Sequence, residues 1–223
     1  MPFIPLCLAA PLPVITGTNT QPHSPEEKTM NKLTRTLIAS VVTGLMATSS
    51  FAMTSAEHKT AKDRISADYK AAKARCDGMS GNAKDICTKE AKGAEDVAKA
   101  ELESQYKPGE RNTRKLAEAR ADAEYNVAKE KCDDLQGNAK DVCVKDAKAA
   151  HVTAKENAKV AAAQAKPAST AAGQGAAVAE ARKDASAEKN EANYKAARER
   201  CDAMSGDAKS KCVDDAKRMY NQN

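Results

Sequence analysis

The chain has 223 residues, with 36 Lys and Arg against 31 Asp and Glu for a net charge of +5. It has no Trp, 2 Phe and 5 Tyr, and from Met53 onward it carries 41 Ala against only 13 Leu, Ile and Val together. Large aliphatics therefore fall far below the roughly 20% found in a chain with an ordinary core, which argues against a globular enzyme built around a deep pocket.

Residues 1–29 read as an extension that is untranslated in the cell or lacks fixed structure. Met30-Asn31-Lys32 is a natural start, and Glu26-Glu27-Lys28 must be encoded by a purine-rich run of the kind that serves as a ribosome-binding site. Residues 30–52 have the three parts of a secretory signal peptide. Lys32 and Arg35 make the positive region, Leu37 to Ala47 the apolar run, and Ser50-Phe51-Ala52 the small-residue cleavage site. The apolar run is too short for a bilayer span, so a retained membrane anchor is the weaker reading. Cleavage is expected at Met53, with export to the periplasm and no transmembrane segment afterwards. Of the 7 Cys, Cys7 lies in the discarded part. Six remain, an even number suited to an oxidising compartment.

Beyond Met53 the sequence is dominated by Ala, Lys, Glu, Arg and Gln, all strong helix formers. It contains three copies of one unit. The first runs from Tyr69 through Ala72, Cys76-Asp77, Met79, Gly81-Asn82-Ala83-Lys84 and Cys87 to Ala91-Lys92. The second runs from Tyr125 through Cys132, Leu135, Gly137-Asn138, Lys140 and Cys143 to Ala147-Lys148. The third runs from Tyr194 through Cys201, Met204, Gly206-Asp207, Lys209 and Cys212 to Ala216-Lys217. Each copy reads as helix, turn, helix. Gly81, Gly137 and Gly206 stand where a glycine ends a helix, and Asn82, Asn138 and Asp207 follow as N-caps. Asp85 and Asp141 complete a pattern like a capping box, with Ser210 in their place in the third copy.

Folding each unit about its turn brings Cys76 level with Cys87, Cys132 with Cys143, and Cys201 with Cys212. Ala72 then faces Ala91 and Tyr69 faces Ala94, with the same relation in the other copies. A disulfide needs Cα atoms closer than ordinary helix packing gives, and the Ala–Ala pair one turn away permits that approach. The expected fold is all-α: three disulfide-stapled antiparallel hairpins, about six helices, elongated or loosely bundled. The expected helices are Ser55–Met79, Asn82–Tyr106, Asn112–Leu135, Asn138–Ala165, Ala177–Met204 and Asp207 to the end. The hairpins occupy 53–106, 110–166 and 177–223, with Lys107-Pro108-Gly109 as one break and 167–176 as a flexible linker.

No pattern for chemistry emerges. A ten-residue gap between cysteines is not a zinc spacing, and no phosphate loop or EF-hand alternation is present. His58 and His151 are read as solvated helix surface. Carboxylates are abundant, but nothing in the pattern desolvates them. No catalytic residue, metal or cofactor is expected, and nucleic-acid binding is not favoured by so even a charge balance. Lys84, Lys140 and Lys209 recur without an evident structural need, which marks the tips as a candidate binding feature for an envelope component.

The motif Tyr-x-x-Ala-Lys/Arg-x-Lys/Arg-Cys-Asp…Gly-Asn/Asp-Ala-Lys…Cys, with the signal peptide and the Ala/Lys/Glu-rich helices, resembles small exported proteins of Gram-negative bacteria loosely labelled TolA-like cell-envelope proteins. The likeness covers nearly all of the chain after Met53. It implies a periplasmic helical protein and carries over no functional residue. TolA itself keeps a transmembrane anchor that is not expected here, so no energy-transducing role is implied. The expected function is non-enzymatic, with a structural, stress-related or adaptor role in the envelope. The alternatives are a thiol–disulfide responsive switch and a binder of anionic polymers.

Overall fold

The computed structural model describes residues 53–222; the extension 1–29 and the signal segment 30–52 lie outside them. Six α-helices follow in order: α1 Ser55–Cys76, α2 Gly81–Tyr106, α3 Glu110–Lys131, α4 Gly137–Ala165, α5 Ala171–Cys201 and α6 Gly206–Met219. A short 3-10 turn, Cys132–Asp134, continues α3. Three bridges pair Cys76 with Cys87, Cys132 with Cys143 and Cys201 with Cys212, at Cα–Cα distances of 5.6, 5.6 and 5.7 Å. The stapled hairpins are therefore α1–α2, α3–α4 and α5–α6.

Helix α1 opens with a capping box that follows from Thr54-x-x-Glu57. The Glu57 N–H donates to Thr54 Oγ1 at 3.2 Å, and the Glu57 carboxylate accepts from the Thr54 N–H at 2.7 Å. That backbone hydrogen bond, with the one from the Thr54 hydroxyl, holds the Glu57 carboxyl below its usual range. Thr170 caps α5 by accepting from the Gly173 N–H at 3.0 Å. Helix α5 thus starts at Ala171 rather than Ala177, and the expected linker 167–176 contracts to the segment Lys166 to Thr170. An N-cap hydroxyl and alanine-rich sequence outweigh the two glycines Gly173 and Gly175 that suggested a break.

The tips also differ from the reading in detail. Helices α1, α3 and α5 end at Cys76, Lys131 and Cys201, before the expected Met79, Leu135 and Met204. The chain leaves each through a tight turn in which Met79, Leu135 and Met204 donate back to the carbonyls of Cys76, Cys132 and Cys201. Gly81, Gly137 and Gly206 do take the left-handed conformation, with φ of 57°, 56° and 57°. They do so as the first residue of the following helix, because the reversal is completed there and not at the end of the preceding one. The N-cap positions are accordingly Ser80, Gln136 and Ser205, none of which makes a side-chain cap bond. Asn82, Asn138 and Asp207 are not caps, and no capping box forms with Asp85 or Asp141.

The core is made of alanine and sulphur. Ala91, Ala121, Ala149, Ala185, Ala196 and Ala216 are buried beside Cys76, Cys132 and Cys201, and Leu102 is the only large aliphatic among the buried residues. In the first two hairpins the expected facing pairs are present: Tyr69, Ala72, Ala91 and Ala94 line one cleft, and Tyr125, Ala128, Ala147 and Ala150 the corresponding one. Small side chains permit close helix approach. At Gly93, an added Cβ would stand 2.8 Å from the Ala123 Cβ, so α2 and α3 meet nearly backbone to backbone. Every substantial helix–helix contact is between chain neighbours: α1 with α2, α2 with α3, and so on to α6. The described residues therefore form a row one helix deep, not a closed bundle.

Candidate functional site

Each bridged tip is built from the same few residues. The aspartate after the first cysteine closes its helix at Asp77 and Asp202 and lies in the 3-10 turn at Asp133, and the lysine two residues beyond the Asn/Asp of the next helix reaches back to it. The Lys84–Asp77, Lys140–Asp133 and Lys209–Asp202 distances are 3.3, 2.8 and 2.8 Å. The Lys140 hydrogen bond holds the Asp133 carboxyl below its ordinary range, and Lys209 does the same for Asp202. Asp133 in turn raises the Lys140 ammonium. Each recurrent lysine thus has an ion-pair partner that the sequence did not disclose, the aspartate of its own turn. All three stay partly open to solvent.

A second recurrent tip residue has no such explanation. Met79, Leu135 and Met204 are 47%, 42% and 47% exposed, although an apolar side chain gains nothing from standing in water. Each lies between the Asp and the Lys of its tip in sequence. The array therefore presents three copies of one surface: a bridged turn, an apolar side chain, and a lysine with its aspartate.

The tips are joined side by side. The Asn82 amide donates to the Glu130 carbonyl at 3.0 Å, and the Asn138 amide donates to the Glu199 carbonyl at 2.9 Å. Lys89 approaches the Glu130 carboxylate at 3.7 Å, and Lys145 approaches that of Glu199 at 4.0 Å. Lys131 pairs with Glu90, and Arg200 with Asp146. Two seams, α2–α3 and α4–α5, thus repeat one set of contacts. A groove of about 680 Å³ runs along the first, floored by Gly93, Val97, Ala123 and Val127.

His58 and His151 are not the solvated residues expected. His58 stacks on Tyr106 with ring centroids 4.1 Å apart and meets Glu103 at 2.9 Å. His151 stacks on Tyr125 at 4.7 Å and bonds to Asp122, and its Nδ1 is buried without a partner. Burial pulls the Asp122 carboxyl upward, but the His151 hydrogen bond and the nearby Lys155 outweigh it, and the group sits below its usual range. Each imidazole supplies the flat surface that the missing Phe and Trp would give a normal core. Two carboxylates are also buried against expectation, Glu95 and Glu156. Lys99 and Lys92 pair with Glu95, and Lys159 with Glu156. The Lys99 hydrogen bond, opposed by burial and aided by Lys92, lowers Glu95. These groups are spread along the row and do not converge on one point.

Among the described residues no group of three or more His, Cys, Asp or Glu is placed to hold a metal ion, and no helix is long and apolar enough to cross a membrane. Three disulfides point to an oxidising environment. No family model, curated protein or solved structure matches the chain.

Proposed function

We propose that the protein is a non-enzymatic, exported adaptor of the bacterial periplasm, which docks on an envelope component through its three bridged tips. The observation that carries this reading is the half-exposed Met79, Leu135 and Met204, each in the bridged turn that precedes a tip lysine in sequence, repeated three times along a row of stapled hairpins. A weak contact made three times on one chain gains strongly in avidity. The resemblance to TolA-like envelope proteins and the signal-peptide pattern of residues 30–52 support the compartment.

Co-sedimentation of the purified chain with isolated cell envelopes tests the reading. The wild type should pellet with them, the single variants Met79→Ser, Leu135→Ser and Met204→Ser should pellet progressively less in combination, and the triple variant should stay in the supernatant. Because the three side chains are exposed, the triple variant should keep its helix content and bridges. Equal pelleting of wild type and triple variant would overturn the tip-docking role. Peptide mapping of the protein from periplasmic extract should find Met53 first and all three bridges closed; a cytosolic protein with free thiols would overturn export.

A thiol–disulfide switch is the second reading. It draws on Cys87, Cys143 and Cys212 being only partly buried, whereas their partners are fully enclosed. A reduction potential near about −200 mV would favour it, and one below about −300 mV would mark the bridges as structural.

A further inference from the structure

The two seams have a direction. The second helix of one hairpin gives an Asn amide and a Lys ammonium, and the first helix of the next receives both on a glutamate, through its carbonyl and its carboxylate. Such a head-to-tail contact does not close on itself, and a chain built on it can in principle go on adding units. Among the described residues two faces of this kind remain uncovered: the outer face of α1, which packs only on α2, and that of α6, which packs only on α5.

Neither uncovered face carries the seam residues. In register with the bridges, the receiving glutamates Glu130 and Glu199 correspond to Ala74 on α1. On α6, Asn82 and Asn138 are matched by Asp207, which has no donor to give. Lys89 and Lys145 are matched by Asp214, which reverses the charge. The closest-approach position, Gly93 in the first seam and the buried Ala149 in the second, is matched by Arg218. Where one added Cβ would already stand 2.8 Å from its neighbour, an arginine cannot pack. Asp207, Asp214 and Arg218 are all exposed, as is Ala74. Arg218 and Asp214 are occupied within α6, by Asp215 and Lys217.

We propose that the outer faces of α1 and α6 are blocked copies of the inter-hairpin seam, and that Ala74, Asp207, Asp214 and Arg218 keep a second copy of this chain from docking head to tail. The block combines three independent faults: a missing donor at Asp207, a lost ion pair where Asp214 would face Ala74, and a bulky side chain at a backbone-close crossing. The corresponding salt pair is retained, since Arg75 stands where Lys131 and Arg200 do, and Asp215 where Glu90 and Asp146 do.

Two complementary variants of the full chain test this. One carries Asp207→Asn, Asp214→Lys and Arg218→Ala, which opens α6; the other carries Ala74→Glu, which opens α1. All four positions are exposed, and retained helix content by circular dichroism with three closed bridges verifies folding. By sedimentation velocity the wild type and the α1 variant should each run as monomers. An equimolar mixture of the two variants should show a weight-average mass rising toward twofold with concentration. A chain with all four changes should grow beyond a dimer. A monomeric mixture of folded variants overturns the proposal. So does a wild type that already associates and is dispersed by Asp215→Lys, because the face would then be open.

Discussion

Replacing Cys132 and Cys143 together by alanine removes the middle bridge and leaves the helix-forming tendency of α3 and α4 intact. The bridge closes a loop with a sequence separation of 11, for which the chain-entropy relation gives about 2.8 kcal/mol at 25 °C. Cys132 is fully enclosed, so losing its sulphur leaves a small void worth about 1 kcal/mol more. A total of about 3–4 kcal/mol corresponds to a fall in Tm of about 6–15 °C if the six helices melt as one unit. The core gives reason to expect the upper end. Buried alanines offer little area at about 25 cal/mol per Å², so no large aliphatic cluster stands in for the staple. Thermal unfolding followed by far-ultraviolet circular dichroism reads the shift, and the wild type in reductant should fall further, since it loses three bridges. A double variant that melts with the wild type would refute the claim that bridges compensate for the lean core.

Asn138→Ala should cost about 1 kcal/mol, because it removes a seam hydrogen bond and leaves the Glu199 carbonyl with only the Asp202 N–H; denaturant unfolding measures it, and faster amide exchange along α4 and α5 would localise the loss. Gly93→Ala should destabilise despite alanine's better helix propensity, since its Cβ would collide with Ala123, and adding Ala123→Gly should restore the loss in a double-mutant cycle. Asp122 and Glu95 have folded pKa values lowered by their partners. Their contribution is therefore fully present above about pH 4 and lost as the pH falls through the lowered values, so Tm should drop on acidification, less steeply in Asp122→Asn than in the wild type. Lys84→Ala, Lys140→Ala and Lys209→Ala together should leave Tm almost unchanged, because exposed ion pairs contribute little; a large drop would show that the tips depend on them.

The hairpins and their bridges were legible because a short disulfide loop imposes one geometry on every residue near it. Tyr, Ala and Cys at spacings of three and four, mirrored about a glycine, admit one folded arrangement, and all three pairings follow from it. Turn detail was less legible. The left-handed glycine was recognisable, but whether it closed one helix or opened the next depended on the i→i+3 bonds of Met79, Leu135 and Met204, which leave no mark in composition. Asn82 and Asn138 depart from the sequence pattern for a related reason. Asparagine after glycine is a local capping signal, yet here its amide spans to the next hairpin, and only tertiary proximity reveals that. The contrast with Asp207 was visible in the sequence and gained meaning only beside Glu130 and Glu199. His58 and His151 looked solvated because their partners Tyr106 and Tyr125 sit far away along the chain, and a helix-surface reading cannot supply a stacking neighbour from another helix.

Each bridge also governs how the chain bears load. If the row is pulled from its ends, tension arriving along α1 at Cys76 passes through the sulphurs to Cys87 and continues down α2. Residues between the two cysteines lie outside the covalent path of the force. The neighbouring helices can peel apart one by one, since each is held only by its chain neighbours, while the turns at Asp77–Lys84 and their counterparts carry no stretch. A row of this construction can lengthen as its helices separate and still keep its three bridged tips intact.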